Sequence, residues 1–499
     1  MPSAAISARP FSLNPPVSID RLASMTASRA RALALSLIVA AALAFRMIGL
    51  GTYGFSDDEI HKLNAVQEYR RMNFTANAEH PMLMKLAIWT SLDLADAWNR
   101  LADRSGWPPI AQEAALRLPN ALAGAATTVV VFLLADVLFD NVVALFAAAF
   151  WALDVNATAI NRIGKEDTFL LFFFLLAVWL YERGKQEGIS DPVHAQRWYT
   201  GSGAMFGLML ASKYMPVSLG AFAVFNAITD RAPGANRPDR FRMYGAALLA
   251  FLATNGVILM PSTWRYAASY VDGGMLMHHG SLYGGRMYIT NIPISPLGLP
   301  VTFYLHYLAT KVPLVVLGAA AAGLVELVRR RRERGFMLLR VWLVVHLLLY
   351  SLLAAKFQRY MLPVLAVVDL VAAVGLAAGV RWLLRKGWLW PVTRMTASIA
   401  AVAVSMSGLV LAETSSAPFY SLFQNAVGER LAVPAATFSE ETYDYGVREA
   451  VESIVGVADG GAVIVSDVPE VVAQYVARSG RSDLAVRSLS GEGLRERLA

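Results

Sequence analysis

TFLLFFFLLAVWLY, residues 168–181, carries no charge and no helix breaker along its whole length. Hydrocarbon accommodates such a run, and an α-helix of about twenty apolar residues spans the roughly 30 Å core of a bilayer. ALALSLIVAAALAF at 32–45 has the same character, and similar blocks recur as far as residue 412. Composition agrees: the 499 residues are 56% hydrophobic and only 16% charged, where soluble domains carry about 25% charge. The fold class that follows is an all-α polytopic membrane protein. With no cysteine, disulfides, thiolate metal ligands and a cysteine nucleophile are excluded. The net charge of +7 does not point to nucleic acid. Its basic residues fill short gaps between apolar blocks, as in RRRRER at 329–334, with no stripe interleaved with aromatics.

Spans fit at 29–50, 118–139, 142–160, 167–182, 243–261, 301–328, 336–354, 360–380 and 393–412. Residues 199–229 are too long for one span and hold Lys213 and Pro216 at their centre. Two short spans meeting there let the lysine reach an interface, which makes about eleven spans in all. Arg183 to Arg197, Arg231 to Arg242, Arg329 to Arg334 and Arg381 to Arg394 then fall on one side with the basic N-terminus. The positive-inside rule makes that side cytoplasmic. Residues 1–28 read as a disordered cytoplasmic tail, and the first apolar run outlasts the h-region of a signal peptide. The transmembrane domain covers 29–412. Its large loops, 51–117 and 262–300, face the periplasm or the exterior, as does the tail 413–499. That tail alternates YGVREAVESI, GAVIVSD, PEVVAQYVARSG and LAVRSLS, a pattern of helices and strands expected of a small α/β domain.

Everything chemically unusual falls on that second side. Asp57, Asp58 and Glu59 stand at the mouth of the first span, although a carboxylate costs roughly 2.5–3.5 kcal/mol at a helix centre. A solvated acidic loop is the plain explanation. It is weakened by NRIGKEDT at 161–168, which brings Arg162, Lys165, Glu166 and Asp167 to the same side. Transfer to a hydroxyl or amine needs a base for the acceptor proton, and a departing phosphate needs cations. Lys311, Lys356 and Arg359 stand where a lipid phosphate lies, though each also reads as a side chain snorkelling to headgroups. EHPMLMKLAIW adds Glu79, His80 and Lys85, and the adjacent His278 and His279 stand out in a chain with seven histidines. A divalent cation among these groups stays open, since spacing fixes no ligand set.

In this order and on this side, the motifs resemble the GT-C glycosyltransferases that use lipid-phosphate sugars. The likeness is to bacterial relatives of protein O-mannosyltransferases and of lipid A aminoarabinose transferases. It rests on Asp58–Glu59 just past the first span, and on His80–Pro81, where Met82 replaces the family's second proline. It rests also on Arg162 with Asp167 at the head of a span, on the Tyr-rich stretch ending at Lys311–Pro313, and on Arg359–Tyr360. The resemblance covers nearly all of the chain after about residue 30. It implies inverting transfer from a polyprenyl-phosphate-linked sugar to a protein, lipid or glycan, at the outer face of a bacterial inner membrane. It also implies Asp58 as general base, Glu59 assisting or orienting, and Asp167 positioning donor or acceptor. Lys85, Arg162 and Arg359 would hold the donor phosphate, with Lys311 and Tyr360 in the same group. Asp57, His80, His278 and His279 would serve the acceptor or orient its neighbours. Because Asp57 is extra and the second proline is missing, the base among Asp57, Asp58 and Glu59 stays open, as do the sugar and any metal.

The competing reading is a multi-span transporter or lipid flippase with an acidic, cation-coupled site. Such proteins place ionisable residues at mid-membrane depth on broken helices. Here they gather at span mouths, Lys213 excepted.

Overall fold

The structure is a computed structural model that describes residues 19–214, 217–229, 237–272, 278–290, 298–386, 390–430, 438 and 445–489. It begins with α1 (Ile19–Met47). The 51–117 segment folds into α2 (Asp57–Arg70) and α3 (Leu83–Ser105) before α4 (Gln112–Leu138). There follow α5 (Asn141–Ala152), α6 (Val155–Asn161), α7 (Asp167–Glu187), α8 (Pro192–Ser212), α9 (Val217–Thr229), α10 (Arg240–Thr254) and α11 (Pro261–Asp272). An antiparallel hairpin, β1 (His278–Tyr283) and β2 (Arg286–Thr290), precedes α12 (Phe303–Lys311), α13 (Leu314–Arg329), α14 (Arg334–Leu352), α15 (Leu362–Arg385) and α16 (Pro391–Ser416). The chain continues with α17 (Ala426–Arg430), α18 (Val447–Val457), β3 (Val463–Ser466), α19 (Pro469–Arg478) and β4 (Ala485–Ser488).

Among the described residues, five helices are long and apolar enough to cross a membrane, or up to seven if each bent pair is one span. About eleven are expected from the apolar blocks. The difference lies in α7 to α10: α9 has 13 residues and α10 has 15, short for a bilayer core at 1.5 Å per residue. α7 ends in the charged ERGKQE.

Two expected spans are bent, one by 59° between α5 and α6 and one by 118° between α12 and α13. Both bends have local causes. The Asp154 carboxylate accepts from the Asn156 and Ala157 amides and so starts α6. Arg46 of α1 donates to the Trp151 and Ala152 carbonyls at the break, which covers them inside the bundle. At the second bend, Pro313 lacks an N–H and Val312 takes extended backbone, which ends α12. The split expected within 199–229 is present, since α8 stops at Ser212 and α9 starts at Val217.

α15 is the central helix, buried from Leu362 to Ala377. Its partner α13 lies so near that a Cβ on Gly375 would sit 1.9 Å from the Ala319 carbonyl oxygen. Small residues at such a contact let two backbones approach, which is how helices gain packing where lipid and side chain are equally apolar. The bundle has two unlike ends. At one, Arg31 meets Asn141, Arg381 meets Asp140 and Arg334 meets Glu182. At the other, the end of α1, the start of α2, the 162–167 turn, Lys213 and Arg359 come together.

The C-terminal strands β3 and β4 pair in parallel across α19. Val451, Val471, Val472 and Tyr475 share one apolar core with Phe55, Ile60, Leu63 and Val66. These elements form a cap on α2 and are the described part of the stretch 413–499, for which the sequence reading expects a small α/β domain.

Candidate active site

The first turn of α2 carries Asp57, Asp58 and Glu59, a placement that suits the positive end of the helix dipole. Consecutive residues on a helix point about 100° apart, so the three carboxylates face three ways. Asp57 points outward, half exposed and 3.6 Å from His61. Glu59 points inward, and Asp58 faces the turn before α7.

Glu59 is wholly buried. Arg117 Nε and Nη2 donate to its two oxygens at 2.8 and 2.7 Å, and it accepts from the Gly164 and Ser56 amides at 2.9 and 3.1 Å. Arg117 spends its remaining donors on the Leu50, Tyr53 and Gly54 carbonyls. This bidentate pair pins α2, α4 and the 162–167 turn together. Each Glu59 oxygen thus accepts two hydrogen bonds from the protein.

Asp58 and Asp167 converge. Lys165 Nζ donates to Asp58 Oδ1. Arg359 lies between the carboxylates, Nη1 3.7 Å from Asp58 Oδ2 and Nε 3.9 Å from Asp167 Oδ2. Lys213 Nζ donates to Asp167 Oδ1 at 2.7 Å and stands 4.7 Å from the Tyr360 ring centre. The charges alternate as Lys165, Asp58, Arg359, Asp167, Lys213. Burial alone would raise the Asp58 carboxyl, but the Lys165 and Arg359 cations outweigh it and hold the group below the usual carboxylate range. Its side chain is 35% exposed, against 7% for Asp167 and 1% for Glu59.

A second buried group backs the first. Lys62 of α2 lies 2.7 Å from Glu166, both out of water, and His80 Nδ1 is 3.5 Å away. Burial opposes ionisation of Glu166, yet the surrounding cations, Lys62 and Lys165 among them, keep it well below its ordinary value. Burial pushes the His80 ring well below its ordinary value as well.

Several residues expected at the donor phosphate donate to backbone carbonyls. Arg162 is fully buried and donates to the Phe45, Arg46, Ile48 and Gly49 carbonyls, closing the open end of α1. Lys85 is fully buried and donates to the Asn77 and His80 carbonyls, and burial lowers its pKa to about 7. Lys311 donates to the Ser421 carbonyl, and Lys356 to those of Leu299 and Leu353. Each of these cations is used by the end of a helix or by a loop, where uncovered carbonyls collect. His278 and His279 lie on β1, but their side chains fall outside what is described. Among the described residues no group of three His, Asp or Glu side chains is arranged to hold a metal. Asp58 lines neither a cavity of about 630 Å³ beside Pro313, Leu411 and Phe423 nor one of about 440 Å³ between α9 and α10.

Lys62 and Arg117 join this cluster without having been singled out from sequence, while Lys165, Glu166 and Lys213 are noted there but given no role. Lys213 had a signal, a lysine beside a proline within an apolar block. Arg117 had none, because one arginine in QEAALRLPNALAG reads as an interface anchor.

The family model described as dolichyl-phosphate-mannose-protein mannosyltransferase matches residues 110–259, and that of the Alg9-like mannosyltransferase family matches 299–426. No curated protein sequence matches significantly. The fold is similar to that of ArnT from Cupriavidus metallidurans bound to undecaprenyl phosphate. There the TM-score is 0.51 at 13% identity, over 90% of this chain and 89% of that one. The apo state of the same protein gives 0.53 at 14%, over 92% and 86%. The oligosaccharyltransferase of Archaeoglobus fulgidus in its apo form gives 0.51 at 12%, over 91% of this chain and 64% of that one. Two family models on separate stretches of the bundle, together with this shared fold, make the chain a membrane glycosyltransferase of the GT-C type.

Proposed function

We propose that this chain moves a sugar from a polyprenyl phosphate to a hydroxyl or amine acceptor, at the outer face of a bacterial inner membrane, with Asp58 as general base. One observation carries the choice of base. Asp57 is more exposed but points away to His61; of Asp58, Glu59, Glu166 and Asp167, which face the buried cations, only Asp58 is substantially open to solvent, and its Oδ2 is the oxygen that Lys165 does not hold. In the reaction the acceptor proton passes to Oδ2, a bond forms from the acceptor to the anomeric carbon, and the carbon–phosphate oxygen bond breaks with its electron pair leaving on the phosphate. Arg359, set between the two carboxylates, receives that developing charge. Asp167, fixed by Lys213, aims the arginine, while Glu59 and Glu166 hold the loops in register. The undecaprenyl phosphate bound in ArnT and the dolichol-phosphate bound in the Archaeoglobus fulgidus oligosaccharyltransferase support a lipid phosphate as the donor's carrier.

The test is transfer from a polyprenyl-phosphate sugar in proteoliposomes. Asp58→Asn is expected to lose about 10²-fold or more of the rate while melting like the parent, the scale of a lost general base. Near-normal transfer by that variant removes Asp58 from the chemistry.

A further inference from the structure

α9 and α10 follow one another in the chain yet choose different partners. α10 lies along α8, where a Cβ on Gly203 or Gly207 would come within 2.0 or 2.1 Å of the Met243 or Ala247 carbonyl oxygen. α9 lies along α14. The two helices diverge and leave a cleft of about 440 Å³ at the arginine-rich end of the bundle. Its lining is mostly apolar, with Phe206, Leu219, Phe222 and Met243 beside the polar Asn226, and Arg237 and Arg240 line it where the chain enters α10. α10 buries none of its residues, and its Tyr244, Leu248 and Leu249 are 57–71% exposed, so this side of the bundle faces lipid. A bilayer fills such a gap with hydrocarbon, since an apolar void loses its packing contacts.

The charge at the mouth decides which lipid. Arg242 is committed to Asp239 at 3.3 Å, and Arg334 to Glu182 at 2.7 Å. Among the described residues neither Arg237 nor Arg240 makes an ion pair. We propose that the α9–α10 cleft binds an anionic glycerophospholipid, one acyl chain between the helices and the phosphate on Arg237 and Arg240. Guanidinium groups suit a phosphate because they donate two parallel hydrogen bonds to it.

Native mass spectrometry of the full chain, offered phosphatidylglycerol and phosphatidylcholine of the same chain length in equal amounts, tests this. Phosphatidylglycerol is expected to be retained in preference. Arg237→Gln with Arg240→Gln should weaken that retention by roughly ten- to thirtyfold, the scale of two surface arginines on an anionic lipid. Ala223→Trp, which fills the cleft and leaves both arginines in place, should lower it too. Equal retention of the two lipids, or undiminished retention in either variant, overturns the proposal. So does displacement of phosphatidylglycerol by a polyprenyl phosphate, which would give the cleft to the donor lipid.

Discussion

Replacing Glu59 leaves Arg117 buried opposite a neutral group, whereas Asp58 is itself partly exposed and its neighbour Arg359 keeps Asp167 when Asp58 is replaced. The first change breaks a pair with no access to water, which typically costs 3–5 kcal/mol. Glu59→Gln should therefore lower the melting temperature in detergent, and its loss of transfer should follow its loss of folded protein. Asp58→Asn should separate the two measurements. The same cations set the pH dependence. Asp58 is held below the usual carboxylate range and stays ionised at acid pH, so with Asp58 as the proposed base the acid limb of kcat/KM should lie low. A donor phosphate on Arg359 draws that charge away, so the acid limb of kcat should lie at higher pH. Coincident limbs would detach Arg359 from the donor. Asp58 and Asp167 were legible from sequence because carboxylates at span mouths are costly unless used. The partners of Arg162 and Lys85 were not, because a cation that closes a helix end and one that holds a phosphate have the same sequence.

At the scale of elements, the helix carrying Asp58 is held from above by the C-terminal cap. Tyr475 of α19 accepts from the Phe55 amide at 2.7 Å and donates to Glu113 at 2.8 Å. Arg478 pairs with the same glutamate. On the exposed flank His61 stands 3.6 Å from Asp57 and 3.4 Å from Glu470, with Asn64 also donating to Glu470. The Asp57 carboxylate raises the His61 pKa above its ordinary 6.5, against partial burial and the charge of Lys62, and Glu470 adds to the rise. The folded value exceeds the unfolded one, so this contribution is complete below the unfolded pKa and is lost as pH rises through the folded one. Hydrogen exchange of the α19 amides should accelerate as pH crosses that window, beyond the intrinsic rate, and His61→Gln should flatten the change. The bends at Asp154 and Pro313 were carried by the sequence as a helix-capping residue and a proline, but each lay inside an apolar run long enough to read as unbroken. The cap's dependence on α2 was hidden, because its apolar faces look the same whether they cover each other or a neighbour.

For the whole molecule, the bundle's polarity was the most legible property. The arginine-rich gaps and the acidic span mouths were assigned to opposite sides by loop parity, and the structure gathers them at opposite ends. The number of spans was less legible, since α9 and α10 are short and need only be covered by neighbours and lipid. What the polarity positions is one chain of alternating charges from Lys165 to Lys213, drawn from α2, the 162–167 turn, the end of α8 and the approach to α15. The most direct measurement is an experimental structure with a non-transferable polyprenyl-phosphate sugar bound. The account predicts the phosphate against the Arg359 guanidinium, with Asp58 Oδ2 facing the side of the anomeric carbon opposite the phosphate. A phosphate bound away from Arg359, or a sugar that Asp58 does not face, would contradict it.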